Sequence, residues 1–180
     1  MNEEKLRISK IDAARRQLDC AIELWFFDKD EISIHTLAAA AYQIIHDLKV
    51  HKGIVRDLLY DSAMIKDEYR NDWINVLKRP VNFFKHADND PAGTVEFSPF
   101  GNLVFLMFSA GGLKLLGEQS SHAVNALVFW LTLHQPELIT PEYRKLFADR
   151  IDIQTLQDVR AIPKADFFTI YVSTSANQST

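Results

Sequence analysis

Apolar residues recur at intervals of three and four along most of the chain, the spacing that puts them on one side of a helix. From Glu4 to about Phe27 the series is Ile8, Ile11, Leu18, Ile22 and Trp25, with Ala14 and Ala21 between them. Lys10, Arg15, Arg16 and Asp19 fall on the other side as a solvated face, and the turn-forming D-K-D-E at Asp28 to Glu31 ends this first helix. Ser33 can cap a second helix running to about Val50, with Ile34, Leu37, Ala41, Ile45 and Leu48 as its seam. The small residues Ala38 to Ala41 let a neighbouring helix approach closely, and Lys52-Gly53 suits a helix C-terminus. A short helix over Ile54 to Tyr60 and a polar stretch from Asp61 to Asp72 lead into a helix through His86, on which Trp73, Leu77, Val81 and Phe84 share an arc. Pro80 lies inside it and is expected to kink it.

The second half is more apolar. A-D-N-D-P-A-G after His86 is a strong stop, and T-V-E-F-S-P-F reads as a short extended piece or one arm of a small hairpin. Pro99 to Leu116 is apolar on nearly all sides, as a central helix is, with Gly111-Gly112 either kinking it or allowing tight packing. Ser120 or Ser121 caps a helix that reaches His134 and stops at Gln135-Pro136. Thr140-Pro141 opens a short helix to about Arg150, and Ile153 to Val159 continues helical. Phe167 to Val172 has the β-branched and aromatic content of a strand or a helix end. The expected fold is mostly α: a single multi-helix bundle over residues 1–172, with at most a short extended hairpin and a flexible polar tail at 173–180.

With 180 residues, 47% of them hydrophobic and 24% charged, the chain has enough apolar surface for one sizeable core. The apolar excess of the second half, beyond what one bundle covers, leads us to expect a homodimer. A net charge of −4 argues against a broad nucleic-acid footprint, so any RNA contact has to be local. The longest apolar runs, Leu103 to Phe108 and Ala123 to Leu133, are too short to span a bilayer. One cysteine, Cys20, forms no internal disulfide, and Met1 is followed by N-E-E-K rather than by a basic and then apolar leader, so the cytoplasm is the expected location.

Chemistry concentrates on the helix that ends at His86. Opposite its apolar arc, Asn75, Arg79, Asn82 and His86 gather within about 60°. A guanidinium, two amides and an imidazole are an uncommon set for a face that only has to be wet. The plainer role is an ion pair from Arg79 to a neighbouring helix and a histidine bonded near a helix C-terminus. A second set, His35, Tyr42 and His46, shares a stripe of the second helix; these three either bind a ligand or are core groups hydrogen-bonded to neighbours. Asp88 and Asp90 imitate the start of a calcium loop, but Pro91 and Ala92 stand where further ligands and glycine belong. No metal and no cofactor is assigned.

Arg79 and His86, with six residues between them, resemble the R-x4-6-H signature of the HEPN superfamily of small α-helical bundles. The resemblance implies metal-independent RNA cleavage, often in toxin-type proteins, by two protomers that bring their motifs together. It further implies that Arg79, Asn82 and His86 are the catalytic set. The family usually has Asn, Asp or His directly after the arginine; here that place is Pro80, and the amide is displaced to Asn82. The resemblance spans one helix and a general bundle pattern. The reading from a different class is a non-catalytic helical protein that binds or regulates a protein partner.

Overall fold

A computed structural model describes residues 5–54, 58–88, 90–138 and 153–177. Among them are seven α-helices and no strand: α1 (Lys10–Phe26), α2 (Glu31–His51), α3 (Arg70–Phe83), α4 (Phe100–Leu115), α5 (His122–His134), α6 (Ile153–Arg160) and α7 (Lys164–Asn177). The all-α expectation holds. No hairpin is present among the described residues, within the limit of at most a short one, and Thr94 to Ser98 run without regular structure. Phe167 to Val172 lie inside α7, where the strand-like composition is overridden by packing. α7 also runs five residues past Val172, to Asn177. The helix expected from Thr140 to Arg150 lies outside the described residues. So does part of the one expected over Ile54 to Tyr60, whose described end, Leu58 to Tyr60, is not helical.

The start of each helix has a local cause. Ser9, not the region of Glu4, opens α1: its hydroxyl accepts from the Asp12 N–H (3.1 Å), and Asp12 reaches back to the Ser9 N–H (3.3 Å). Asp30 rather than Ser33 caps α2, its carboxylate accepting from the Ser33 N–H at 2.8 Å. α2 ends as anticipated, with Gly53 in the left-handed region (φ +67°) and the Ile54 N–H bonded to the Lys49 carbonyl. Ser121 caps α5 and also donates to Asp19 Oδ1 at 2.5 Å, which joins the start of α5 to the middle of α1.

α1, α2 and α4 form the centre, α2 packing on both of the others. Small residues set their separation: Ala14 and Ala21 of α1, Ala38, Ala39 and Ala41 of α2, and Gly112 of α4 are all buried. The expected seam of α2 is only partly a core line. Ile34, Ala41 and Ile45 are buried, whereas Leu37 and Leu48 are half-buried at its edge. α5 and α7 close the other end, where Phe168 and Phe167 stack on Phe26 with centroids 4.7 and 6.1 Å away. Lys164 fastens α7 to the α1–α2 turn by pairing with Asp28 (2.7 Å) and lying 3.9 Å over the Trp25 ring. α3 touches the body thinly. Val81 is its one buried residue, and Trp73, Ile74 and Leu77 pack half-buried against the core. No helix of the described residues is long and apolar enough to cross a membrane.

Candidate functional site

The helix carrying Arg79 keeps its backbone through Pro80. α3 is continuous to Phe83, and the Phe84 and His86 N–H groups continue its ladder onto the Pro80 and Asn82 carbonyls, each at 3.0 Å. Proline removes the donor that would serve the Val76 carbonyl, on a turn where Val76 is itself exposed. Because the last turn carries on to His86, Arg79, Asn82 and His86 stay on one side of it.

Those three residues line an open cavity of about 570 Å³ together with Phe83, Asp88 and Asp90. All but the half-buried Phe83 are exposed. None of the side chains of Arg79, Asn82, His86, Asp88 and Asp90 makes a hydrogen bond or ion pair with another described residue. The plainer role for Arg79, an ion pair with a neighbouring helix, is therefore not realised among the described residues. Asn75, one turn earlier, is exposed and does not line the cavity.

Asp88 and Asp90 belong to A-D-N-D-P-A-G, where the sequence favours a turn over a calcium site, and Asp90 to Gly93 form one. The Gly93 N–H closes that turn on the Asp90 carbonyl at 3.2 Å. A Cβ at Gly93 would collide with the Asp90 carboxylate, so only glycine lets the carboxylate lie where it does. Among the described residues no three or more His, Cys, Asp or Glu side chains are gathered so that they could hold a metal ion.

The second set does not converge. His35, at the start of α2, is buried against the edges of Phe97, Phe105 and Phe84, with centroids 4.8, 5.2 and 5.7 Å away. Its Nδ1 lies 2.8 Å from Asn102 Oδ1. The Asn102 amide NH₂ donates to the Glu31 carbonyl (3.1 Å) and carboxylate (2.5 Å), so its oxygen faces the ring and the proton sits on His35 Nδ1. Nε2 is left buried without a partner. Burial pulls the His35 pKa below the ordinary value; the bond to Asn102 opposes that and the nearby Lys85 charge adds to it.

Tyr42 and His46 belong to a different cluster further along α2. The fully buried Tyr42 hydroxyl accepts from the Tyr60 N–H at 2.9 Å, and burial pushes its pKa up. Tyr60 stands edge-on to Tyr42 and His46, and its own hydroxyl is pushed up to about 12, first by burial and then by the charge of Asp47. His46 Nδ1 is 3.5 Å from Asp47 Oδ1, an ion pair only when the ring is protonated. Beneath them the buried Lys49 pairs with Asp61, whose other oxygen accepts from the Leu58 N–H at 3.0 Å. Trp73 Nε1 donates to the Leu59 carbonyl at 2.7 Å. These contacts hold residues 58–61 against α2 and set the start of α3.

Sequence periodicity placed His35, Tyr42 and His46 on one stripe; it had no means of supplying Asn102 or Asp61, which come from elsewhere in the chain. The exposed cavity at the end of α3 is thus the candidate site, and His35, edge to face with Phe84, is not part of its lining. No protein-family model, curated protein or solved structure matches this chain.

Proposed function

We propose that this chain is a metal-independent endoribonuclease, of HEPN or toxin type, acting at the Arg79, Asn82 and His86 cavity. The observation that carries the reading is that these three side chains line one open cavity, exposed and unpaired among the described residues. Arg79 holds the scissile phosphate, and Asn82 orients either the phosphate or the imidazole. His86 takes the proton from the 2′-hydroxyl as its oxygen bonds to phosphorus and the 5′-oxygen leaves, giving a 2′,3′-cyclic phosphate and a 5′-hydroxyl. The leaving oxygen needs a proton of its own. One histidine per chain serves one of the two transfers, so the reading includes a homodimer in which a second copy's motif serves the other. It also places the protein in the cytoplasm, with RNA as a local contact.

Asp88 and Asp90 favour a second reading. Two carboxylates in the same cavity oppose a polyanion and suit a non-catalytic helical protein that binds a partner through donors or cations. The two are separated by incubating RNA with the protein in the presence of a chelator, beside His86→Ala and Arg79→Ala. Both positions are exposed, so circular dichroism is expected to be unchanged. The endoribonuclease loses about 10²-fold or more of its cleavage in each variant. Cleavage that persists in both, or is absent from the wild type, removes these residues from a catalytic role. Light scattering that finds a monomer at micromolar concentration removes the paired site.

A further inference from the structure

The proposed cleavage employs Arg79, Asn82 and His86 and leaves Phe83, Asp88 and Asp90, which line the same cavity, without a task. At about 570 Å³ the cavity is larger than a phosphate requires and falls in the range of small-ligand sites. Its lining is also divided in character. A guanidinium suits an anion, a half-buried phenyl ring suits the flat face of a base, and carboxylates suit hydrogen-bond donors while opposing the phosphate that Arg79 attracts.

Asp90 is the better placed of the two carboxylates, because its side chain lies tight over Gly93 in a turn closed by the Gly93 N–H. Its side chain lines the cavity and makes no hydrogen bond or ion pair to another described residue, so the carboxylate can accept from a ligand there. A carboxylate offering two acceptors side by side matches two donors side by side. Among the four RNA bases only guanine presents that pair on its Watson–Crick edge, through N1–H and the 2-amino group. Adenine and cytosine set a donor beside an acceptor, and uracil sets one donor between two acceptors.

We propose that Asp90 makes this cavity selective for guanine, reading the base edge while Phe83 stacks on its face and Arg79 holds the attached phosphate. The proposal rests on the reading of this cavity as an RNA site. It is tested by calorimetric titration of the full chain with the 3′-monophosphates of the four nucleosides and with inorganic phosphate, alongside cleavage of a synthetic RNA containing a single guanosine. The guanosine nucleotide is expected to bind about tenfold or more tightly than the other three. Asp90→Asn, which replaces one acceptor by a donor, equalises the four, whereas Asp88→Asn keeps the preference. Gly93→Ala keeps the charge but displaces it, and also loses the preference.

Equal affinities in the wild type, no nucleotide binding, or a preference lost in Asp88→Asn but kept in Asp90→Asn would each overturn the assignment. Guanine-selective binding without cleavage upholds Asp90 and sinks the nuclease reading. Cleavage at all nucleotides alike does the reverse.

Discussion

Gly111 and Gly112 are neighbours near the C-terminal end of α4, yet alanine at the two positions is expected to change stability in opposite directions. Neither glycine has a positive φ, so each replacement gains the same helix propensity, about 1 kcal/mol. They differ in what a methyl group meets. Gly111 is exposed with nothing within 4 Å of a Cβ, whereas a Cβ on the buried Gly112 would lie 2.5 Å from Ile45 Cγ2. That atom is the β-branch of a fully buried side chain on α2, unable to swing away as the end of a flexible chain would. Forcing a methyl into such a contact costs about 1–3 kcal/mol. Gly111→Ala should therefore stabilise the fold by up to about 1 kcal/mol, and Gly112→Ala should destabilise it by roughly 0–2 kcal/mol. The propensity gain cancels in the difference, so the gap of about 1–3 kcal/mol reports packing alone. Urea unfolding followed by far-UV circular dichroism measures it. In an Ile45→Ala background the obstructing methyl is gone, and Gly112→Ala should become neutral or stabilising relative to that background. Equal shifts of the same sign at the two glycines, or a Gly112→Ala penalty untouched by Ile45→Ala, would refute the argument.

Two further outcomes follow from buried polar groups outside the candidate site. Tyr42→Phe strands the buried Tyr60 N–H and is expected to cost about 1–3 kcal/mol in urea unfolding; no measurable loss would mean that this bond does not hold the loop. His35 ionises at lower pH in the fold than in the unfolded chain, mainly because it is buried, so the unfolded chain binds the extra proton first. Its contribution is complete above the ordinary value of 6.5 and is lost as the pH falls from there through the folded value. His134, lowered by burial and by Arg160, acts with the same sign. The urea midpoint should thus decline as the pH is lowered through that window, less steeply in His35→Gln; an unchanged slope in the variant would show that His35 does not contribute.

How far the sequence predicts the structure depends on how local each cause is. The periodicity of α1 and α2, the Ser121 cap and the Gly53 stop are decided within a turn or two of the residues concerned, and they were legible. The Ser9–Asp12 capping box is equally local, but the apolar repeat already includes Ile8 and so runs past it. Phe167 to Val172 illustrates the opposite limit. Its composition suits a strand, and only the aromatic shelf of Phe26, Phe129 and Trp130 explains why it is helical. The polar arc of Arg79, Asn82 and His86 was visible because all three lie on one stretch of helical backbone. Asp90 was not, because its position depends on a turn that folds back. The partners of His35 and Lys49 were out of reach, since Asn102 and Asp61 meet them only after the chain has folded.

The thin attachment of α3 bears on how the protein spends its time in solution. A helix with one buried residue, otherwise held by half-buried side chains and the Trp73 bond to Leu59, can open at lower free energy than α1, α2 and α4 around it. Amide hydrogens from Arg70 to Phe83 would then exchange through excursions that leave the central three helices folded. The cavity at its end would be dismantled and rebuilt many times within one lifetime of the native core.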